Sequence, residues 1–245
     1  MDSVDVKEIV RLRALNLSPK QIARKLGLRP AEVTAVIKAQ AEEASLARAE
    51  RGELPPVKAC FINTDAVGRL LGHQPQRQGF WQKQKDRDED ENSGFAQIFV
   101  ARLERNRYLV CSYLVDYWCL GVKDALGPRK FDRSKYEAFI QKAYARFSAG
   151  YQEITLEQAQ SIVWGGVDYA ASLGLQPHQD FEKAKAHLGE RPENLIEIEF
   201  GRNGKPFYFS GPYDNTEKII ATLRKTVGED NFEYMVALGD DDFGW

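Results

Sequence analysis

The 245-residue sequence predicts an α+β protein, a small all-α head followed by a larger mixed α+β body. Three patterns carry that expectation. Residues 17–39, "LSPKQIARKLGLRPAEVTAVIKA", read as two short helices around a glycine. Residues 95–115, "FAQIFVARLERNRYLVCSYLV", read as two strands around the turn "ERN", a β-hairpin. Several later segments open at a capping residue and keep apolar side chains at helical spacing.

In chain order, Val6, Ile9 and Val10, with Leu12 and Leu15, mark a first helix over 4–15. Ser18 is a good N-cap, Pro19 suits the first helical position, and Gln21 completes a capping box. Ile22, Ala23 and Leu26 form the inner face of this second helix. Gly27 supplies the positive φ of a tight helix end, and Leu28 plugs the core. Pro30 restarts a helix that turns Val33, Val36 and Ile37 inward. Residues 39–51, "AQAEEASLARAER", have high helix propensity but no apolar stripe, which predicts a connecting helix that "GELPP" breaks.

In the body, "KACFINTDAVGRLLG" predicts a strand and then a short helix. Residues 73–94 are polar and charged without a period, a long mobile loop. After the hairpin, Asp132 caps a helix carrying Tyr136, Phe139, Ile140, Ala143 and Phe147, which ends at Gly150. Thr155 with Gln158 opens another, and "DFEKAKAHLG" is a short one. "NLIEIEFGRNGKPFYFSGPYD" predicts a second hairpin turning at "RNGK". "DNTEKIIATLRKTVG" is a helix leading to the strand "NFEYMVAL". No internal repeat is visible. The expected organisation is a helix-turn-helix domain over 1–38, a connecting helix and linker over 39–56, an α+β domain over 57–238 and an acidic tail over 239–245.

The composition, 43% apolar and 29% charged, is that of a globular domain, and no apolar run approaches the roughly 18 residues of a membrane span. "MDSVDVKEIVRLRAL" is charged and amphipathic and does not read as a signal peptide. Cys60, Cys111 and Cys119 form no CxxC pair, so neither a zinc ribbon nor a disulfide framework is expected. These features predict a cytoplasmic location, no membrane partner and no cofactor.

Net charge is -2, unevenly spread. Lys7 to Lys38 holds eight basic and two acidic residues, a local excess of +6 on a chain otherwise acidic. A basic head on an acidic body suits a polyanion-binding module joined to a unit of different purpose. The small Ala23, the turn at Gly27 and the branched Val33 have helix-turn-helix spacing: close helix approach needs the alanine, and the sharp turn needs the glycine.

This first segment resembles the helix-turn-helix of bacterial regulators, including sigma-factor promoter-reading domains and resolvase tails, over about 40 residues. In the body, "YLVDYWCLGVKDA", "IVWGGVDYAASLGLQPHQDF" and "FGRNGKPFYFSGPYD" look like stretches of an uncharacterised bacterial domain, a resemblance that implies no activity. The helix-turn-helix resemblance puts Arg29, Pro30, Ala31, Thr34, Ala35 and Lys38 toward a DNA groove. Arg29 is suited to a guanine, and Thr34 to a thymine methyl or a phosphate. Lys20, Arg24 and Lys38 then lie near the backbone, where they add affinity without sequence information. One arginine and no Asn or Gln on that face predicts phosphate-driven binding of modest specificity.

For catalysis the densest stretch is "VDYWCLGVKDA". Asp116, Cys119, Lys123 and Asp124 fit one helix starting near Asp116, where Lys123 would activate the Cys119 thiol. A buried Cys119 and an N-capping Asp116 fit the same residues equally simply. "PHQDFEKAKAH" offers His178 as a general base, or a His178, Asp180 and His187 metal set, although the spacing of the two histidines argues against the latter and no metal is expected. A nuclease would need Asp116, Asp124, Asp168 and Asp180 to converge. HExxH and the P-loop pattern are absent from the sequence. The leading expectation is a DNA-binding regulator of transcription, or a mobile-element accessory protein, whose body binds a partner, an effector or a second copy of itself. An enzyme acting on nucleic acid and a protein-docking adaptor are the alternatives.

Overall fold

The computed structural model describes residues 3–15, 17–72 and 94–236. The loop predicted over 73–94 (apart from Gly94) and the acidic tail over 239–245 lie outside them, as does the side chain of Lys38. Contacts divide the chain into two compact units, Met1–Leu54 and Pro55–Trp245. The chain is of mixed α+β class: the first unit is helical and the second is built on an antiparallel sheet.

The first unit holds three helices, α1 (Ser3–Ala14), α2 (Pro19–Leu26) and α3 (Pro30–Glu50). Its core is Ile9, Leu12, Ile22, Ala23 and Val33, with Leu26, Leu28, Val36 and Ile37 packed against it. Val10 and Leu15, also read as inward, are exposed. The Ser18 hydroxyl accepts from the Gln21 amide and the Gln21 side chain accepts from the Ser18 amide, so the predicted capping box closes. Gly27 stands at φ 67° and donates its N–H to the Ala23 carbonyl. The connecting helix expected from Ala39 is the second half of α3, because nothing between Pro30 and Glu50 breaks helical geometry. Ser18→Ala is expected to cost the first unit about 1 kcal/mol, read as faster hydrogen exchange at the amides of Gln21 and Ile22.

The second unit is built on five strands, β1 (Val57–Asn63), β2 (Phe95–Glu104), β3 (Arg107–Asp116), β4 (Gly121–Phe131) and β5 (Tyr151–Ile154). They lie in the order β4-β3-β2-β1-β5, every pair antiparallel. Alternation assigns the two faces. Ile98, Val100, Cys111, Tyr113 and Val115 face one core with α4 (Thr64–Leu71) and α6 (Leu156–Ser172). Phe99, Ala101 and Val110 face a second, aromatic core under α5 (Arg133–Tyr144). Asp132 and Thr155 cap α5 and α6 as predicted. The α5 helix stops at Tyr144 rather than running to Gly150, whose φ of 70° instead serves the turn into β5.

Two sequence expectations are corrected. The helix read from Asp116 is a tight turn between β3 and β4, since Asp116 accepts from the amides of both Trp118 and Cys119 and Gly121 reverses the chain at φ 65°. The second hairpin forms only at its tip: Arg202 and Lys205 exchange both backbone hydrogen bonds around Asn203 and Gly204, where the turn was expected. Its arms do not pair with each other, because the amides of Gly201 and Phe207 donate instead to the carbonyls of Tyr117 and Trp118. Beyond it β6 (Phe207–Phe209) pairs in parallel with β7 (Glu233–Met235), and α8 (Thr216–Val227) packs nearby through Leu223. The short helix α7 (Phe181–Ala184) forms as predicted and continues as a 3-10 turn to Leu188.

One buried charge joins these parts. Arg102 is 5% exposed and donates to three carbonyls, of Pro55 at 2.8 Å, His187 at 2.9 Å and Leu188 at 3.3 Å. The carbonyl end of the 3-10 turn supplies negative potential where a carboxylate would otherwise be needed.

Candidate functional site

In the first unit, Lys20 and Arg24 project from α2, and neither is engaged by an acidic side chain among the described residues. Arg29 is placed otherwise than a free base reader. Its amide and guanidinium both donate to Glu32, at 3.0 Å from the amide, and the Glu32 carboxyl is held below its usual range by those bonds. The Glu32 carboxylate therefore caps the start of α3 and holds the Nε edge of Arg29, so that a base or phosphate competes with Glu32 for that edge. The Thr34 hydroxyl donates to the Pro30 carbonyl at 2.8 Å, which leaves its methyl outward. The exposed face of α2 and the start of α3 is thus cationic at Lys20, Arg24 and Lys25, and paired at Arg29.

The body's five catalytic candidates fall into two groups. Asp116 is 3% exposed, and burial, only partly opposed by the turn amides of Cys119, Trp118 and Leu120 and by Lys123, pushes its carboxyl up to about 6. Cys119 is fully buried, and burial together with the Asp116 charge drives its thiol well above the ordinary value. That environment disfavours a thiolate at neutral pH. Lys123 lies on β4 and reaches Asp214 at 2.8 Å rather than the thiol. Asp214 also accepts from the Gly211 amide at 2.7 Å and the Tyr208 hydroxyl at 3.3 Å. These bonds fix a loop that holds Tyr213 at 99% exposure, a residue with no motif or spacing to single it out.

Asp124, further along β4, meets His178. The His178 Nδ1 lies 3.9 Å from Asp124 and 3.7 Å from Asp180. His187, grouped with them in sequence, is elsewhere: it is 3% exposed, with Nε2 3.2 Å from the Val100 carbonyl. Asp168 pairs with Arg191. The four aspartates of a nuclease-like centre therefore do not converge, and Asp124, His178 and Asp180 form the single such metal-ligating trio among the described residues.

Among the described residues no helix is long and apolar enough to cross a membrane. Comparison with known proteins returned no match: no family model, no curated protein and no solved structure is significantly similar to this chain.

Proposed function

We propose that the first unit is a DNA-binding helix-turn-helix and that the chain is a regulator, or a mobile-element accessory protein, whose second unit binds an effector or partner. The observation that carries this reading is the pairing of a capped eight-residue α2 with α3 across Gly27, its apolar side buried and its outer side basic. A short helix of this kind crosses a phosphate backbone while the N-terminal turn of the next meets base edges. With Arg29 held by Glu32, phosphate contacts dominate and selectivity is modest.

The test is binding of the purified chain to fragments of its own genome across a salt series, beside a Lys20→Ala, Arg24→Ala double variant. We expect affinity to fall steeply with salt. The double variant should bind at least about tenfold more weakly, with a log-log salt slope shallower by about 2. Binding undetectable at low salt, or identical in the variant, would overturn the reading and favour a protein-docking head.

A further inference from the structure

We propose that Asp124, His178 and Asp180 bind a divalent transition-metal ion of the zinc class. This goes beyond the DNA-binding reading and does not depend on it, since all three residues belong to the second unit. Their ligand atoms lie within 4.8 Å of one another. Two backbone constraints bring them together from distant parts of the sequence. Asp124 is fixed on β4 by its pairing with Leu114, and the His178 amide donates to the Val122 carbonyl on the same strand at 2.9 Å. The segment carrying His178 and Asp180 is thereby stapled beside Asp124.

The orientation of the imidazole is chemically specific. The Asp180 amide donates to Nδ1 at 3.3 Å, a long hydrogen bond on the single lone pair that a metal would take, so binding exchanges that bond for the metal. Two carboxylates within 4 Å of Nδ1 gather negative charge about that nitrogen, which a cation placed among the three ligand atoms neutralises. Zinc bound at about 2.0–2.2 Å places tetrahedral ligand atoms about 3.4 Å apart. The observed 3.7 and 3.9 Å, in a trio whose ligand atoms span at most 4.8 Å, are within reach of that value by rotation of the part-exposed side chains. Asp180 pairs with Lys183 through Oδ1 at 3.5 Å, and its other oxygen, Oδ2, is the one that faces His178. One imidazole with two carboxylates suits zinc, cobalt or manganese better than calcium, which takes six to eight oxygens. Water completes the coordination. The three cysteines are buried and offer no competing site.

The experiment is calorimetric titration of the tag-free, chelator-treated full chain with zinc chloride at neutral pH. We expect one equivalent to bind, His178→Ala to abolish that binding, and Asp124→Asn to weaken it at least about tenfold. Asp168→Asn, in a carboxylate paired with Arg191, should leave it unchanged. Because His178 and Asp124 are both part-exposed, these variants keep the fold, which circular dichroism checks. Absence of binding in the parent chain, binding unaltered in His178→Ala, or an equal loss in Asp168→Asn would each overturn the proposal.

Discussion

Gly121→Ala is expected to destabilise the second unit by about 4 kcal/mol: about 1–2 from the left-handed backbone and up to about 3 from overpacking. Gly121 stands at φ 65°, and a β-carbon there would lie 2.3 Å from the Gly166 carbonyl oxygen and 2.8 Å from the Ala170 β-carbon. The first neighbour is helix backbone and cannot yield without moving α6 off the sheet. Two controls separate this close approach from a general intolerance of side chains. At Gly165 the added carbon would meet only the rim of the Phe200 ring, at 2.9 Å, so Gly165→Ala should cost about 1 kcal/mol. Gly68, within α4, has nothing within 4 Å, and Gly68→Ala should stabilise by about 0.5–1 kcal/mol. Urea denaturation followed by tryptophan fluorescence reads the second unit, because the first contains no tryptophan. A Gly121→Ala loss no larger than that of Gly165→Ala would show that α6 can move.

What was legible in the sequence was local. The capping box at Ser18, the caps at Asp132 and Thr155 and the positive φ at Gly27 each depend on neighbours three or four residues away, and all are present. The hairpin of β2 and β3 was legible because its alternation is regular and its turn short. β4 was not, because "GVKDALGPRKF" holds two glycines, a proline and four charges, and it is a strand through its pairing with β3 rather than through propensity. β5 is four residues long, and the parallel pairing of β6 with β7 joins segments separated by a whole helix. The candidate site divides in the same way. Asp124 and His178 were both on the sequence's list, but what joins them is the hydrogen bond from the His178 amide to β4. The sequence offered His187 as a third member of that group, although the spacing of the two histidines argued against it, and its ring is buried against the Val100 carbonyl instead.

The same two burials give opposite dependences on pH, and separating them is the second large effect expected. Burial lowers the His187 imidazole to about 4, aided by the nearby Arg102 charge and opposed by its backbone bonds. Its folded value lies below the unfolded 6.5, so the stability it carries is complete above pH 6.5 and is lost as pH falls toward 4, about 3 kcal/mol in all. Asp116 runs the other way. Its folded value of about 6 exceeds the unfolded 3.8, so its contribution is complete below pH 3.8 and disappears as pH rises through 6, again about 3 kcal/mol. Between pH 7 and pH 5 the first loses about 2 kcal/mol while the second regains about 1, so the pair together costs the parent chain about 1 kcal/mol. Asp116→Asn keeps an acceptor for the Trp118 and Cys119 amides but removes the titration, so its stability should fall by about 2 kcal/mol over that range. His187→Gln keeps a donor for the Val100 carbonyl, and its stability should instead rise by about 1 kcal/mol on the same acidification. Urea midpoints at the two pH values measure both slopes. Parallel slopes in the two variants would mean that neither group is buried in the ionisation state its surroundings favour, whereas slopes of opposite sign would locate the protein's acid response in two side chains that have no part in the trio at Asp124.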